Sequence, residues 1–126
     1  SGPMAAAFAK ACGSDVLAAE CAGLHPAGRT SALARMVMAE RRVQVPAARP
    51  RGLQEVCLTD FDLIVNLTGE PLPPSDVPVL RYSLPEPDGR GAAEYRDLRD
   101  RVEALVSDLV VQLRDVCRRY GAGAAA

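Results

Sequence analysis

Asp60-Phe61-Asp62-Leu63-Ile64-Val65-Asn66-Leu67 is the stretch on which the reading of the whole chain turns. After the two aspartates, Leu63 to Leu67 runs without a charge. It is short, and it carries the β-branched pair Ile64-Val65. A run of that length and composition predicts a strand covered on both faces, as in a parallel sheet.

Working outward, residues 68–77 are rich in proline and glycine and read as a loop. Val79, Leu80 and Tyr82 predict a further short strand, ended by Pro85 and Pro87. Tyr95, Leu98, Val102, Leu105, Leu109, Leu113 and Val116 then recur at steps of three and four. That is the strongest periodic signal in the chain, and it predicts a helix of about seven turns packed along one face. Gly121 stops it, and the alanine-glycine tail 121–126 is expected to fray.

Upstream of the deciding stretch, Pro3 suits a helix start, because its missing N–H falls among the unpaired donors of a first turn. Met4, Ala5, Phe8, Ala9 and Cys12 share one face, and Gly13 supplies a stop. Val16 to Cys21 reads as a buried strand ending at Ala22-Gly23, followed by a loop from Leu24 to Gly28. Thr30 or Ser31 can cap a second helix whose inward stripe is Leu33, Met36 and Val37, running to about Arg41. The stretch from Val43 to Arg51 holds two prolines and two arginines and is too broken for a long element. Gly52 to Leu58 reads as a short helix.

The order is helix, strand, helix, short helix, strand, strand, helix. Such alternation implies an α/β layer fold, three layers deep, with a parallel sheet, in one domain spanning residues 1–126. Doubly wound folds open on a central strand, and ligands bind where that strand passes into its helix. This sequence opens on the helix, so the fold is expected with its first strand absent from the chain.

Composition narrows the function. Lys and Arg number 15 against 16 Asp and Glu, interspersed along the chain, which argues against a nucleic-acid partner. No apolar run approaches the roughly 20 residues that cross a bilayer, so a soluble, cytoplasmic protein without a membrane partner is expected. The four cysteines, at 12, 21, 57 and 117, include no CxxC pair, and the single histidine, His25, has only Cys21 near it in sequence. That spacing suits neither a metal site nor a disulfide scaffold, and it predicts reduced, mostly buried thiols. No cofactor is expected.

At this point the residues resemble the low-molecular-weight protein tyrosine phosphatases and the related arsenate reductases. Pro3-Met4-Ala5-Ala6-Ala7-Phe8 is similar to the start of their first helix, and Ala22-Gly23-Leu24 to their Ser-Ala-Gly-Leu segment, with Cys21 in the place of the serine. Leu33-Ala34-x-x-x-Met38 resembles their second helix. Phe61-Asp62-Leu63-Ile64-Val65 resembles their F-D-x-[IV]-[IV] strand. Leu84-Pro85-Glu86-Pro87 before Asp88-Gly89 resembles the acid loop ahead of the last helix. No single match is specific; their shared order and spacing carries the resemblance.

The resemblance implies phosphomonoester hydrolysis through a cysteinyl-phosphate on phosphotyrosine proteins or small aryl phosphates. In intact relatives a C-x5-R-[ST] loop precedes the first helix. Its backbone N–H groups and arginine hold the phosphate, its thiolate attacks phosphorus, and an aspartate on the acid loop protonates the leaving group. Ser1 and Gly2 occupy the places of that loop's closing Arg-Ser and are the candidate phosphate-binding remnant. Glu86 occupies the acid position and is the candidate general acid, one methylene longer than the usual aspartate. None of the four cysteines precedes the first helix, so the chain as given is expected to be inactive.

Relatives that relay electrons through internal cysteines need them after the strand at 63–67. Asn66-Leu67-Thr68-Gly69-Glu70 has none, so thioredoxin-linked arsenate reduction is not expected. His25 reads as a surface loop residue, Tyr82 as a strand-face packing residue, and the arginines of 41–51 as a solvated loop. Two histories fit: the front of an active phosphatase lies outside this sequence, or the chain is a pseudophosphatase serving as a binding or scaffold module. The second would leave sheet edges open, and a homodimer joining two sheets is one way to cover them.

Overall fold

The computed structural model describes residues 2–24, 31–46, 51–87 and 91–120. His25, Thr30, Asp88-Gly89, Ser1 and the 121–126 tail lie outside the described residues.

Helix α1 spans Gly2–Cys12 and buries Met4, Ala7, Phe8 and Ala9. Gly13 follows, and its N–H continues the helical ladder to the Ala9 carbonyl at 2.8 Å. The strand expected over 16–21 is not formed. The Val16 and Leu17 N–H groups turn back to the Gly13 carbonyl, each at 3.0 Å, so they are not offered to a sheet. Strand β1 is only Ala22–Gly23, and it pairs in parallel with β2, Arg51–Gly52. The β2 pairing falls where the sequence suggested loop and helix.

Helix α2 spans Ala32–Ala39, with the Ser31 hydroxyl accepting from the Leu33 N–H at its start. Its inward face is Ala34, Val37 and Met38, which lie at i, i+3 and i+4. Met36, expected inside, is 43% exposed. After the helix the chain turns at Arg42, whose φ of 59° is left-handed. The Arg42 N–H bonds the Ala39 carbonyl at 2.9 Å and the Val43 N–H bonds the Met38 carbonyl at 3.1 Å. This is a Schellman ending, with arginine where glycine is usual. It delivers Val43 and Val45 to the core, so this segment is less a solvated loop than its composition suggested.

Instead of one short helix over 52–58 there are two 3-10 turns, Leu53–Glu55 and Leu58–Asp60. Strand β3, Ile64–Asn66, pairs in parallel with β4, Val79–Arg81, with Ile64 opposite Val79 and Asn66 opposite Arg81. The parallel sense is as expected, but double coverage is not. Ile64 and Val65 are half-buried, and burial is complete only at Asn66 and Leu67. Tyr82, just past β4, is 37% exposed rather than packed.

Helix α3, Ala92–Tyr120, packs against both α1 and α2. Its buried line is Leu98, Arg99, Val102, Val106 and Val110. The expected stripe was partly displaced: Leu105, Leu109 and Leu113 lie half-buried on its flank, and Val116 is exposed. The core thus joins three helices through Phe8, Val37, Met38, Val102 and Val110. The cysteines are all free, but Cys12 and Cys57 are exposed and Cys21 and Cys117 half-buried, contrary to the expected burial. A small aliphatic core leaves a thiol at a helix end or loop on the surface.

Candidate functional site

The first turn of α1 presents N–H groups that no residue of the helix can satisfy, and its first turn carries no acidic side chain. Such an end is partially positive and suited to an anion. Gly2 stands there. A Cβ on Gly2 would have Cys21 Cβ as its near neighbour, at 3.8 Å, so this helix start faces the entry to β1. Burial pushes the Cys21 thiol up, against the pull of Lys10 and Arg51. A thiol held in that direction is a poor nucleophile at neutral pH.

Glu86 lies exposed on the segment between β4 and α3. That segment is held on both sides, since Leu84 packs against the core and Pro87 is buried. Glu86 is not among the atoms within 4 Å of the Gly2 Cβ position. Gly2 and Glu86 therefore stand on separate elements of the chain.

Beside the helix start lies a cavity of about 930 Å³ that sequence reasoning did not find. One wall is the α1 face Pro3, Ala6, Ala7 and Lys10. The others are Glu20 and Cys21, Arg35 and Ala39 of α2, residues 42–46, and Arg51. Arg51 is salt-bridged to Glu20. The only available signal was the arginine-rich run at 41–51; Lys10 and Arg35 join it solely because α1 and α2 converge there.

A second cavity, about 390 Å³, is lined by Asn66, Gly69, Glu70, Pro71, Arg81, Tyr82 and Ser83. Asn66 is 5% exposed, and its side chain organises the loop after β3. Its Oδ1 accepts from the Thr68 N–H at 2.9 Å and from the Thr68 hydroxyl at 2.6 Å, and its Nδ2 donates to the Glu70 carbonyl at 2.7 Å. Both ends of the amide are engaged in shaping the loop. Among the described residues no three His, Cys, Asp or Glu side chains gather as a metal site, and no helix is long and apolar enough to cross a membrane.

Known proteins share this fold. An arsenate reductase from Archaeoglobus fulgidus is 34% identical, with a TM-score of 0.77 over 85% of this chain and 87% of its own. A second arsenate reductase, in the reduced state, is 25% identical, with a TM-score of 0.78 over 88% of each chain. The YwlE arginine phosphatase from Geobacillus stearothermophilus, at 18% identity, shares the fold, with a TM-score of 0.73 over 94% of this chain and 88% of its own. No curated protein matches the chain. The family model for low molecular weight phosphotyrosine protein phosphatase matches residues 2–73, from the first residue of α1 to beyond β3. With more than half its length matched, and parallel strand pairs and helices in the order that family shows, the chain belongs to the low molecular weight phosphotyrosine protein phosphatase family.

Proposed function

We propose that these residues form the body of a phosphomonoesterase acting on phosphotyrosine proteins or small aryl phosphates. The observation that carries this reading is the α1 start, where the first-turn N–H groups have no partner within the helix and a Cβ on Gly2 would lie 3.8 Å from Cys21 Cβ. A helix N-terminus holds a tetrahedral oxyanion through those donors. The arsenate of the reductases and the phosphate ester of the phosphatases share that geometry.

Turnover needs a thiolate at the same point, in a C-x5-R loop joined to α1. Cys12 and Cys117 lie on helices away from it, Cys57 sits between two 3-10 turns, and Cys21 is held toward the neutral thiol. Residues 1–126 alone therefore bind oxyanion weakly and do not hydrolyse esters. Glu86 supplies the proton to the leaving phenolate once the loop is in place, its longer side chain reaching from a pinned loop.

The test is hydrolysis of para-nitrophenyl phosphate by two proteins: residues 1–126, and the translation product of the gene that includes any sequence ahead of Ser1. The expected outcome is no turnover by the first and cysteine-dependent turnover by the second. Hydrolysis by the first, abolished by alkylating Cys21, would place the nucleophile inside this chain and overturn the assignment. A gene encoding no C-x5-R ahead of Ser1 would leave a non-catalytic binding module.

A further inference from the structure

The groove along α1 is built from uncompensated positive charge. Elsewhere most exposed arginines are neutralised: Arg41 meets Asp100, Arg96 meets Glu40, Arg101 meets Asp97, Arg114 meets Asp15, and Arg118 and Arg119 meet Asp115, with Arg81 of β4 the exception among the described residues. Lys10, Arg35 and Arg42 have no carboxylate partner among the described residues, and all three line the one groove. Arg51 joins them with the groove's single acidic residue, Glu20, as its partner.

The backbone adds a second, independent observation. Arg42 holds a left-handed φ of 59° at a helix end where glycine carries no steric cost. The hydrogen bonds of that turn use only backbone groups, so nothing in the turn itself calls for arginine. A strained side chain lining a cavity points to a role for that side chain.

We propose that this groove seats an acidic segment of a polypeptide substrate, alongside the α1 start. Its size and lining select that occupant. From Pro3 to Lys10 the wall runs about 10 Å at 1.5 Å per residue, the reach of roughly three extended residues. The floor of Ala6, Ala7, Ala39, Val43 and Val45 accepts aliphatic stems, while the cations stand on the exposed rim. No aromatic side chain lines it, so bases have nothing to stack on, which disfavours a nucleic acid. The proposal rests on the phosphatase reading for what the bound chain is, but the binding is measurable without turnover.

The test is fluorescence anisotropy of a short labelled peptide of alternating glutamate and alanine, titrated with the 126-residue protein. A lysine-alanine peptide is the control. Binding of the acidic peptide only, weakening as salt is raised, is expected. Lys10→Ala, Arg35→Ala and Arg42→Gly are each expected to weaken it about five-fold, and Arg101→Ala, outside the groove, to leave it unchanged. Arg42→Gly is the decisive variant, because glycine suits that turn and the fold is retained. Unchanged affinity in Arg42→Gly, equal binding of both peptides, or no binding would overturn the proposal. Inorganic phosphate displacing the peptide while the groove variants bind normally would overturn it too, placing the contact at the helix start. Hydrolysis of para-nitrophenyl phosphate by a loop-bearing protein tests the phosphatase reading separately. Peptide binding without hydrolysis sinks only that reading, and hydrolysis without peptide binding sinks only the groove.

Discussion

Arg99, inside α3, donates one Nη1 to two acceptors of α2: the Glu40 carboxylate at 2.6 Å and the Val37 carbonyl at 3.0 Å. Its side chain is only 8% exposed. Its Nε reaches Asp100 at 3.0 Å, so the charge is neutralised within the cluster. The orphan carbonyl at the end of α2 is thereby satisfied by the neighbouring helix. Arg99→Met keeps the aliphatic volume but strips the Val37 carbonyl of that donor and removes one of the two arginines on Glu40. A loss of about 2–3 kcal/mol in chemical denaturation is expected. A change within about 0.5 kcal/mol would show that the cluster merely decorates the interface.

The same cluster sets an acid limit. Hydrogen bonds from Arg96 and then Arg99 hold the Glu40 carboxyl down at about 2 from an ordinary 4.5. Asp100 is lowered by Arg99 and then Arg41, and Asp15 by Arg114. A carboxylate whose pKa is depressed on folding stabilises the fold above its unfolded pKa and loses that contribution as pH falls toward its folded pKa. The melting temperature is therefore expected to be flat above about pH 5 and to fall steadily from about 4.5 toward 2. Glu40→Gln should lower it at neutral pH and flatten the acid limb. A variant with the wild-type acid profile would show that other carboxylates govern it.

Arg42→Gly is expected to stabilise the protein. It removes the left-handed strain of a side chain at φ 59°, worth about 1–2 kcal/mol, against an entropic cost of about 0.5–1 kcal/mol for glycine. The net gain is about 0.5–1 kcal/mol, a rise of roughly 2–4 °C in melting temperature by calorimetry. A fall would mean that the arginine makes a compensating contact.

Gly13→Ala is expected to do the reverse. The added Cβ would lie 2.6 Å from Val110 Cγ2 and 3.2 Å from the Ala9 carbonyl. Val110 is buried and cannot swing clear, so α1 and α3 must separate at this crossing. A cost of about 1–3 kcal/mol follows. The double change Gly13→Ala with Val110→Ala should recover part of it, and purely additive losses would argue against the clash.

In a loop-bearing protein, Glu86→Gln is expected to lower kcat about 10²–10³-fold for a phenyl phosphate with a poor leaving group. The loss should shrink for para-nitrophenyl phosphate, whose phenolate needs little protonation. A uniform loss across leaving groups would instead assign Glu86 a structural part in its loop.

Much of the fold is local and so was legible in the residues. Ser31 before Ala32 caps a helix wherever it stands, because the hydroxyl reaches the Leu33 N–H two residues on. Leu98 and Val102 declared α3 by their spacing, and Ile64-Val65 declared a strand by their branching. Gly13 was visible as a helix stop, yet its reason was not. It sits where it does because Val110, 97 positions away, leaves no room for a Cβ.

What only the tertiary structure decided concerns groups that meet across long separations. Periodicity marks a face without naming its opposite, so Met36 and Val116 read as inward though both are exposed. An arginine on a helical stripe reads as polar, and only the approach of Val37 and Glu40 makes Arg99 a buried donor. The groove belongs to the same class. Lys10 and Arg35 come from stretches of unremarkable local composition, and their charges join that of Arg42 in the arginine-rich run only where α1 and α2 converge. Charge and strain add in space, and the chain's one-dimensional order does not carry that sum.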